Sequence, residues 1–380
     1  MKILKFVTHL GTRLLLTTMF LVPLAAGFSG TAAAKGNGTP GAVYTITNAA
    51  DGNEVVVFDR SADGSLSLQG TYSTGGNGSG TGLGSQGAVA LSDDGGHLLF
   101  AVNAGSNQIS VFSLNGKGLN LVDVVDSGGE TPISLTVNKR LLYVLNAGGG
   151  GNITGFVIRR NGKLVALPGS TQPLSNGGVG DAPGPAQVSF DSRGSVLVVT
   201  EKASNLIDTY RIWRGRAQAP VTHDSVGQTP FGFAFDNRED LIVSEAFGGA
   251  DGASALSSYK VLGNRVKVIS PSVGTTQTAA CWVVISKDGR YAYTTNAGSG
   301  SISSYRIGKR GDITLQDAQA GLTGDGSSPI DMALSNNGRF IYALNSGTST
   351  ISAFQVKLDG SLESLGQVDV PAGSVGLAAQ

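Results

Sequence analysis

A short unit recurs along this chain, and its recurrence limits the possible fold more than any other feature. Each unit has an apolar stretch, a turn, and a second stretch that ends in asparagine or glutamate. Pro185 to Glu201 reads PAQVSFDSRGSVLVVTE, and Pro329 to Asn345 reads PIDMALSNNGRFIYALN. Within the stretches the apolar residues alternate with a period of two, which is typical of strands and excludes a helical solenoid. The sequence therefore predicts a repeated antiparallel sheet.

The residues that end the second stretches count the units. A third and a fourth strand follow them, joined by tight turns such as Asn161-Gly162 and Asp359-Gly360, which are strong hairpin signals. Successive landmark residues lie 43 to 55 residues apart along the chain. A four-stranded unit of this length is a propeller blade, so the sequence predicts an all-β, seven-bladed β-propeller. The landmarks are Asn48, Asn103, Asn146, Glu201, Glu245, Asn296 and Asn345.

The two ends of the repeat predict how the propeller closes. The first unit begins at Val43 with VYTITN, a second strand that has no first strand before it. The chain finishes with Gly373 to Gln380, which reads as a first strand without a blade. We expect Gly373–Gln380 to pair with Val43–Thr47, so that one blade takes strands from both termini. Such a closure hides the sheet edges that an open array would expose.

Residues 1–34 have the layout of a secretory signal peptide. A basic start precedes an apolar stretch from Leu14 to Gly27, and Ala32-Ala33-Ala34 offers a cleavage site. A transmembrane anchor is the alternative, but the stretch is short and contains Pro23. We expect cleavage before Lys35, a single propeller domain over residues 35–380, and a periplasmic or secreted protein.

The charge balance limits the partners of the mature chain. Loss of Lys2, Lys5 and Arg13 lowers the number of basic residues from 27 to 24, against 27 acidic residues, so the net charge is about −3. A nucleic-acid partner would require a basic surface, so none is expected. After cleavage we also expect no membrane association and a monomer. Cys281 is the only cysteine, so the chain can form no disulfide within itself.

The candidate site follows from the geometry of a propeller. The first strand of each blade lines the central channel, and the second strands end on the same face, which we call the mouth face. Aromatic, amide and carboxylate groups at these positions suit a neutral sugar or polyol, or a cation. They could equally bond only to the strands and to channel water, and Trp282 could be a core residue at a seam between blades. The predicted site residues are Ser134, Asn146, Gln187, Glu201, Glu245, Trp282 and Asp331.

Metal and cofactor sites have little support in the sequence. The mature chain holds only two histidines, His97 and His223, besides Cys281, which makes a zinc site with these ligands improbable. Acidic and amide oxygens suit calcium or magnesium, but no calcium-loop motif is present. No cofactor is expected.

The turns of the repeat resemble those of a known family. Lys287-Asp288-Gly289-Arg290 and Asn336-Asn337-Gly338-Arg339, each followed by a strand that ends in asparagine, resemble the lactonase-type seven-bladed propellers. That family includes bacterial 6-phosphogluconolactonases and fungal carboxymuconate cyclases. The strongest match is Gly184 to Phe190 with Val199-Thr200-Glu201. The resemblance implies Gly-Pro-Arg-His at the start of this unit, but here Ala186 and Gln187 replace the Arg-His pair.

Two functions remain open. The resemblance implies a lactone hydrolase in which Glu201 acts as the base, provided that burial raises its pKa. The oxyanion would then need a cation or donor from a loop. The alternative is a non-catalytic propeller that binds a sugar, a polyol or a protein partner, and the missing Arg-His pair favours it. An arginine or lysine beside Glu201 in the folded protein would support the hydrolase.

Overall fold

The computed structural model of this chain describes residues 40–93, 95, 97–114 and 118–380. The predicted signal peptide and its cleavage site lie outside the described residues. The described strands form seven antiparallel sheets of four or five strands each, which are the seven blades. One 3-10 turn, Phe247–Gly249, lies between two strands. The described residues contain no helix long and apolar enough to cross a bilayer.

The first four blades hold the following strands. Blade 1 has β1 (Gly41–Ile46), β2 (Glu54–Arg60) and β3 (Leu66–Ser73); blade 2 has β4 (Val89–Leu91), β5 (Leu98–Asn103), β6 (Gln108–Leu114) and β7 (Leu119–Asp126); blade 3 has β8 (Pro132–Asn138), β9 (Leu141–Asn146), β10 (Asn152–Ile158), β11 (Leu164–Ala166) and β12 (Gln172–Pro173); blade 4 has β13 (Pro185–Phe190), β14 (Val196–Glu201), β15 (Leu206–Trp213), β16 (Arg216–Ala217) and β17 (Val221–Asp224).

The last three blades are more regular, with four strands each. Blade 5 has β18 (Pro230–Phe235), β19 (Asp240–Glu245), β20 (Ala255–Leu262) and β21 (Arg265–Gly274); blade 6 has β22 (Ala280–Ile285), β23 (Tyr291–Asn296), β24 (Ser301–Ile307) and β25 (Ile313–Leu322); blade 7 has β26 (Pro329–Leu334), β27 (Phe340–Asn345), β28 (Thr350–Val356) and β29 (Leu362–Asp369); the final strand, β30 (Val375–Ala379), belongs to blade 1.

The closure of the propeller is as predicted. Strand β30 pairs antiparallel with β1, with Val43 opposite Ala379 and Ile46 opposite Val375. The innermost strands contact one another in the cyclic order β30, β4, β8, β13, β18, β22, β26 and back to β30. One blade therefore takes strands from both ends of the described chain, and the ring has no open edge between blades 1 and 7.

Buried tyrosines connect neighbouring blades. Tyr143, Tyr293 and Tyr342 stand on the second strands of blades 3, 6 and 7, and each is fully buried. Each hydroxyl donates a hydrogen bond of 2.9 Å to a glycine carbonyl in a hairpin turn of the next blade, at Gly215, Gly360 and Gly64 respectively. A buried tyrosine hydroxyl needs such a partner. The bond from blade 7 to Gly64 therefore strengthens the closure that β30 makes.

Candidate functional site

The structure brings the predicted site residues to the mouth-facing ends of five neighbouring blades, and all are buried. Ser134, Gln187, Trp282 and Asp331 lie on the innermost strands, with 0 to 8% of their surface exposed. Asn146, Glu201 and Glu245 end the second strands of blades 3, 4 and 5 and are fully buried. The inner four form one group around the channel, and the outer three lie within their own blades.

The inner group surrounds a piece of the chain itself. The loop from β3 to β4 enters the channel, and we call its residues Leu83–Gly87 the channel segment. Trp282 Nε1 donates a 3.1 Å hydrogen bond to the Ser85 carbonyl, and Ser134 Oγ donates a 2.6 Å bond to the Gln86 carbonyl. The Gln86 N–H donates to the Ala186 carbonyl at 3.2 Å. Blades 3, 4 and 6 therefore hold this segment in place.

The Gln86 side chain occupies the space beside Gly232, where a larger residue would place its side chain. Its amide accepts a bond from the Val283 N–H and donates one to the Val283 carbonyl, both at 3.3 Å. A Cβ atom at Gly232 would lie 2.5 Å from Gln86 Oε1. Gln187 makes the same pair of bonds to Phe233 in blade 5, at 2.7 and 3.1 Å. Gln86 therefore bonds to the backbone of the inner strand of blade 6 in the same way that Gln187 bonds to that of blade 5.

The Glu201 carboxylate accepts three hydrogen bonds from two neighbouring serines. These bonds come from the Ser175 N–H at 3.0 Å, from Ser175 Oγ at 2.5 Å and from Ser204 Oγ at 2.6 Å. Asp208, on the adjacent strand β15, is also fully buried. None of the ion pairs between described residues involves Glu201. The cation that the hydrolase hypothesis requires is therefore not paired with this glutamate.

The residues that end the second strands of blades 3 and 5 also bond to neighbouring strands and loops. The Glu245 carboxylate accepts bonds from the Gly227 N–H at 2.9 Å, from Ser257 Oγ at 2.5 Å and from Ser272 Oγ at 2.6 Å. Asn146 Nδ2 donates a 2.8 Å bond to Asn152 Oδ1. These side chains tie the second strand to the third strand or to a neighbouring loop. The landmark residues of the repeat therefore have a structural role that accounts for their recurrence.

Asp208 makes the stability of the folded protein depend on pH. Burial, and then the nearby Glu201 carboxylate, raise the pKa of Asp208 to about 7. An aspartate in an unfolded chain has a pKa near 4. The folded state therefore binds the proton more tightly, and the stability that this proton contributes is present below pH 4 and decreases as the pH rises from about 4 to about 7.

We expect Asp208→Asn to remove this loss. The variant should be more stable than the wild type at pH 8 by roughly 1–3 kcal/mol, because a neutral amide replaces a buried charge beside Glu201. The difference should shrink toward pH 4. Urea unfolding followed by circular dichroism at several pH values measures it. Asp325→Asn, at an exposed aspartate on the same face, is the control, and equal pH profiles for both variants would contradict the prediction.

Asp331 is a buried acid at the point where the channel segment meets β30. It is 1% exposed, and the Met332 N–H donates a 2.7 Å bond to its Oδ1. Burial raises the pKa of Asp331 well above its usual value, and the backbone N–H groups of Met332, Gly87 and Leu377 oppose that rise. No group of three or more histidine, cysteine, aspartate or glutamate residues in the described chain could hold a metal ion.

Lys202 is the residue at the mouth that the sequence reasoning missed. Its Nζ donates a hydrogen bond to the Gly84 carbonyl and lies 4.6 Å from the centre of the Phe231 ring, which in turn lies 4.9 Å from that of Trp282. Burial lowers the pKa of Lys202 to about 8. Its position directly after Glu201, in a loop between a second and a third strand, was the available signal for a cation on the mouth face.

Comparisons with known proteins agree with the fold. The sequence matches the model of a protein family described as "Lactonase, 7-bladed beta-propeller" over residues 43–172 and 247–378. Gln187, Glu201 and Glu245 lie between these two ranges. No curated protein matches the sequence significantly.

Solved structures match nearly the whole propeller at low identity. A 6-phosphogluconolactonase-like protein of Bacteroides fragilis is 18% identical, with a TM-score of 0.68 over 89% of this chain and 97% of its own. A protein of Lactobacillus plantarum is 17% identical, with a TM-score of 0.69 over 89% and 99%. The periplasmic gluconolactonase PpgL of Pseudomonas aeruginosa is also 17% identical, with a TM-score of 0.65 over 89% and 98%. At this identity the likeness concerns the fold.

Proposed function

Because this chain belongs to the lactonase family of seven-bladed β-propellers, we propose that it binds a small polar ligand, such as a lactone, a sugar or a polyol, at its channel mouth without hydrolysing it. One observation carries this proposal. The channel segment is bonded directly to Ser134, Trp282 and Asp331. These three side chains and that of Gln187 are at most 8% exposed, so a ligand on the mouth face would meet the channel segment before it meets them.

The ligand would bind outside the channel segment, beside Lys202 and Phe231. Both residues are partly exposed, and Lys202 Nζ lies over the Phe231 ring and donates to the Gly84 carbonyl. An aromatic ring packs against the apolar face of a sugar, and an ammonium group donates to its hydroxyl or carbonyl oxygens. The predicted site residues then support the mouth from below. A protein partner on the same surface remains the alternative occupant.

Lactone hydrolysis is the second candidate, and Lys202 is the observation that favours it. A lysine directly after Glu201 could stabilise an oxyanion at the mouth, and the related solved structures include a protein named as a gluconolactonase. Glu201 would then be the base. It would first have to exchange its bonds with Ser175 and Ser204 for a bond to water, which is costly for a buried carboxylate.

Hydrolysis assays with a panel of sugar and aromatic lactones distinguish the two candidates. We expect the wild type and Glu201→Gln to show the same rate as buffer, because Glu201 is bonded within the blade. In thermal-shift titrations with the same lactones and with sugars, Lys202→Ala should lose the stabilisation that a ligand gives. Lys309→Ala, on the opposite face, should retain it. Turnover by the wild type that Glu201→Gln removes would instead establish the hydrolase.

We also propose that the protein is exported and is a monomer. The signal-peptide layout of residues 1–34 supports export to the periplasm or the exterior, and N-terminal sequencing of the exported protein should then begin at Lys35. The closed ring, in which β1 and β30 complete one blade, supports a monomer that needs no partner strand. Size-exclusion chromatography with light scattering tests that state.

A further inference from the structure

The basic side chains of the propeller are concentrated on one of its two faces. Antiparallel strands place alternate turns at the same end, so each blade has a mouth face and an opposite lower face. Every described lysine and arginine except Lys202 lies in a lower turn or in the lower half of its strand. Exposed acids lie on both faces, for example Asp251 and Asp325 at the mouth and Asp312 and Asp359 in lower turns. The net charge of the chain conceals this distribution.

Hydrogen bonds between lower turns of successive blades show that these turns share one surface. Asn138 Nδ2 donates to the Ser192 carbonyl at 3.3 Å, which joins blades 3 and 4. Arg238 Nη2 donates to the Gly308 carbonyl at 3.1 Å, which joins blades 5 and 6. A partner that approached this surface would therefore meet basic side chains from several blades at once.

The basic residues of blades 3 and 4 differ from the others because few acids lie near them. In blades 5 to 7 the lower face pairs Arg238, Lys260, Arg290 and Lys357 with nearby carboxylates. In blades 3 and 4 the lower face has one acid, Asp191, which is buried and bonded to the Ser195 and Val196 N–H groups. We define the basic patch as Lys139, Arg140, Arg159, Arg160, Lys163, Arg193, Arg211, Arg214 and Arg216.

Among the described residues one ion pair reaches this patch, and it is weak. Arg193 Nε lies 3.8 Å from Glu239 of blade 5, with 75% of the arginine side chain exposed. In addition, the Asp93 carboxylate of blade 2 accepts a 2.6 Å bond from the Lys139 N–H at the edge of the patch. A groove of about 600 Å³ between blades 2 and 3 is lined by Lys139, Arg140, Arg159 and Arg160. Four cations around one depression produce a strong local positive potential.

Trp213 stands exposed beside this patch. It ends strand β15, opposite Arg216 in the hairpin, and 64% of its surface is exposed. The guanidinium of Arg214 lies 5.7 Å from its ring centre. The hairpin is fixed from behind, because the Tyr143 hydroxyl donates to the Gly215 carbonyl and accepts from the Ala217 N–H at 2.7 Å. A large aromatic side chain is thus held in solvent by a rigid turn.

We propose that the lower face of blades 3 and 4 docks on an anionic phospholipid surface, with the basic patch over the headgroups and Trp213 in the interface. Lysine and arginine are attracted to anionic headgroups within a Debye length, and tryptophan prefers the boundary between headgroups and acyl chains. Val165, on the outer strand β11, adds an exposed apolar side chain on blade 3. A nucleic-acid duplex offers phosphates but no apolar layer for these two residues. The expectation of no membrane association rested on the lack of a further long apolar stretch in the sequence, which does not report on this patch.

Flotation of the full chain with lipid vesicles tests the proposal. The wild type should float with vesicles of phosphatidylglycerol and phosphatidylcholine, should not float with phosphatidylcholine alone, and should lose binding as salt is added. The combined variant Arg159→Gln, Arg160→Gln and Lys163→Gln should bind at least about tenfold more weakly. The matched control Lys287→Gln, Lys309→Gln and Arg310→Gln removes the same charge from exposed positions of blade 6 and should bind like the wild type.

Tryptophan fluorescence gives a second readout that a change in folding would not mimic. The chain has two tryptophans, and Trp282 is 2% exposed, so a blue shift on vesicle binding should come from Trp213. Trp213→Ala should abolish the shift and weaken binding several-fold. Equal binding by the two triple variants, or equal binding to both kinds of vesicle, would overturn the proposal. Binding of a DNA duplex without binding of the anionic vesicles would overturn the choice of partner.

Discussion

Deletion of Ser374–Gln380 is expected to destroy the closed propeller. These residues include β30, the innermost strand of blade 1, and Val375, Leu377 and Ala379 are buried in two separate hydrophobic clusters. Burial of a valine or a leucine contributes about 1.5–3 kcal/mol each, and the deletion also leaves the inner edge of β1 without a partner. A loss on the order of 5 kcal/mol or more is a large part of the stability of an ordinary domain.

Thermal unfolding and limited proteolysis measure this effect. The deleted chain should lose its cooperative transition or unfold at a much lower temperature, and protease should cut it rapidly in blade 1. Gln380→Ala is the matched control, because it keeps the strand and removes the side-chain bond from Tyr44 Oη, which should cost about 1 kcal/mol. If the deleted chain melted like the wild type, closure by β30 would not be a main source of stability.

Trp282→Ala is expected to destabilise the protein by about 3–5 kcal/mol. The indole is 2% exposed, packs against Phe231 and donates to the Ser85 carbonyl. Its removal leaves a cavity beside the channel and a carbonyl of the channel segment without its partner. The segment should then become mobile, since one of its bonds across the channel is lost.

Chemical denaturation gives the free energy, and hydrogen exchange at Ser85–Gly87 reports on the segment. Trp213→Ala is the control of the same residue type: Trp213 is 64% exposed and should contribute little to stability. Trp282→Phe should fall between the two, because it retains most of the packing and loses the bond to Ser85. Equal stabilities of Trp282→Ala and Trp213→Ala would show that the channel segment does not depend on Trp282.

The channel segment limits what membership of the family implies about activity in this chain. Gly232 could carry no side chain without meeting Gln86, and the inner strands of blades 3, 4 and 6 all bond to the segment. The chain therefore uses positions that face the channel to hold its own loop. A ligand that binds here meets Lys202 and Phe231 first. This is the physical reason to test binding before turnover.

The repeat in the sequence was sufficient to predict the fold. Seven landmark residues with period-two strands between them predicted seven blades, and the missing first strand at Val43 predicted the pairing with Gly373–Gln380, because an unpaired strand at each end has a partner only in the other. The region of the site was also predictable. Ser134, Gln187, Trp282 and Asp331 lie on inner strands toward one face, since position in the repeat fixes position in the blade.

Only the tertiary structure decided what these residues contact. Glu201 bonds to Ser175 and Ser204, and Trp282 bonds to Ser85, which lies 197 positions away along the chain. The loop that provides Ser85 and Gln86 bonds to residues of other blades that are distant along the chain, so its path across the channel follows from long-range packing that no local pattern encodes. The concentration of basic side chains on one face arises in the same way. Each blade contributes a few basic turn residues, and only closure of the ring brings them onto one surface.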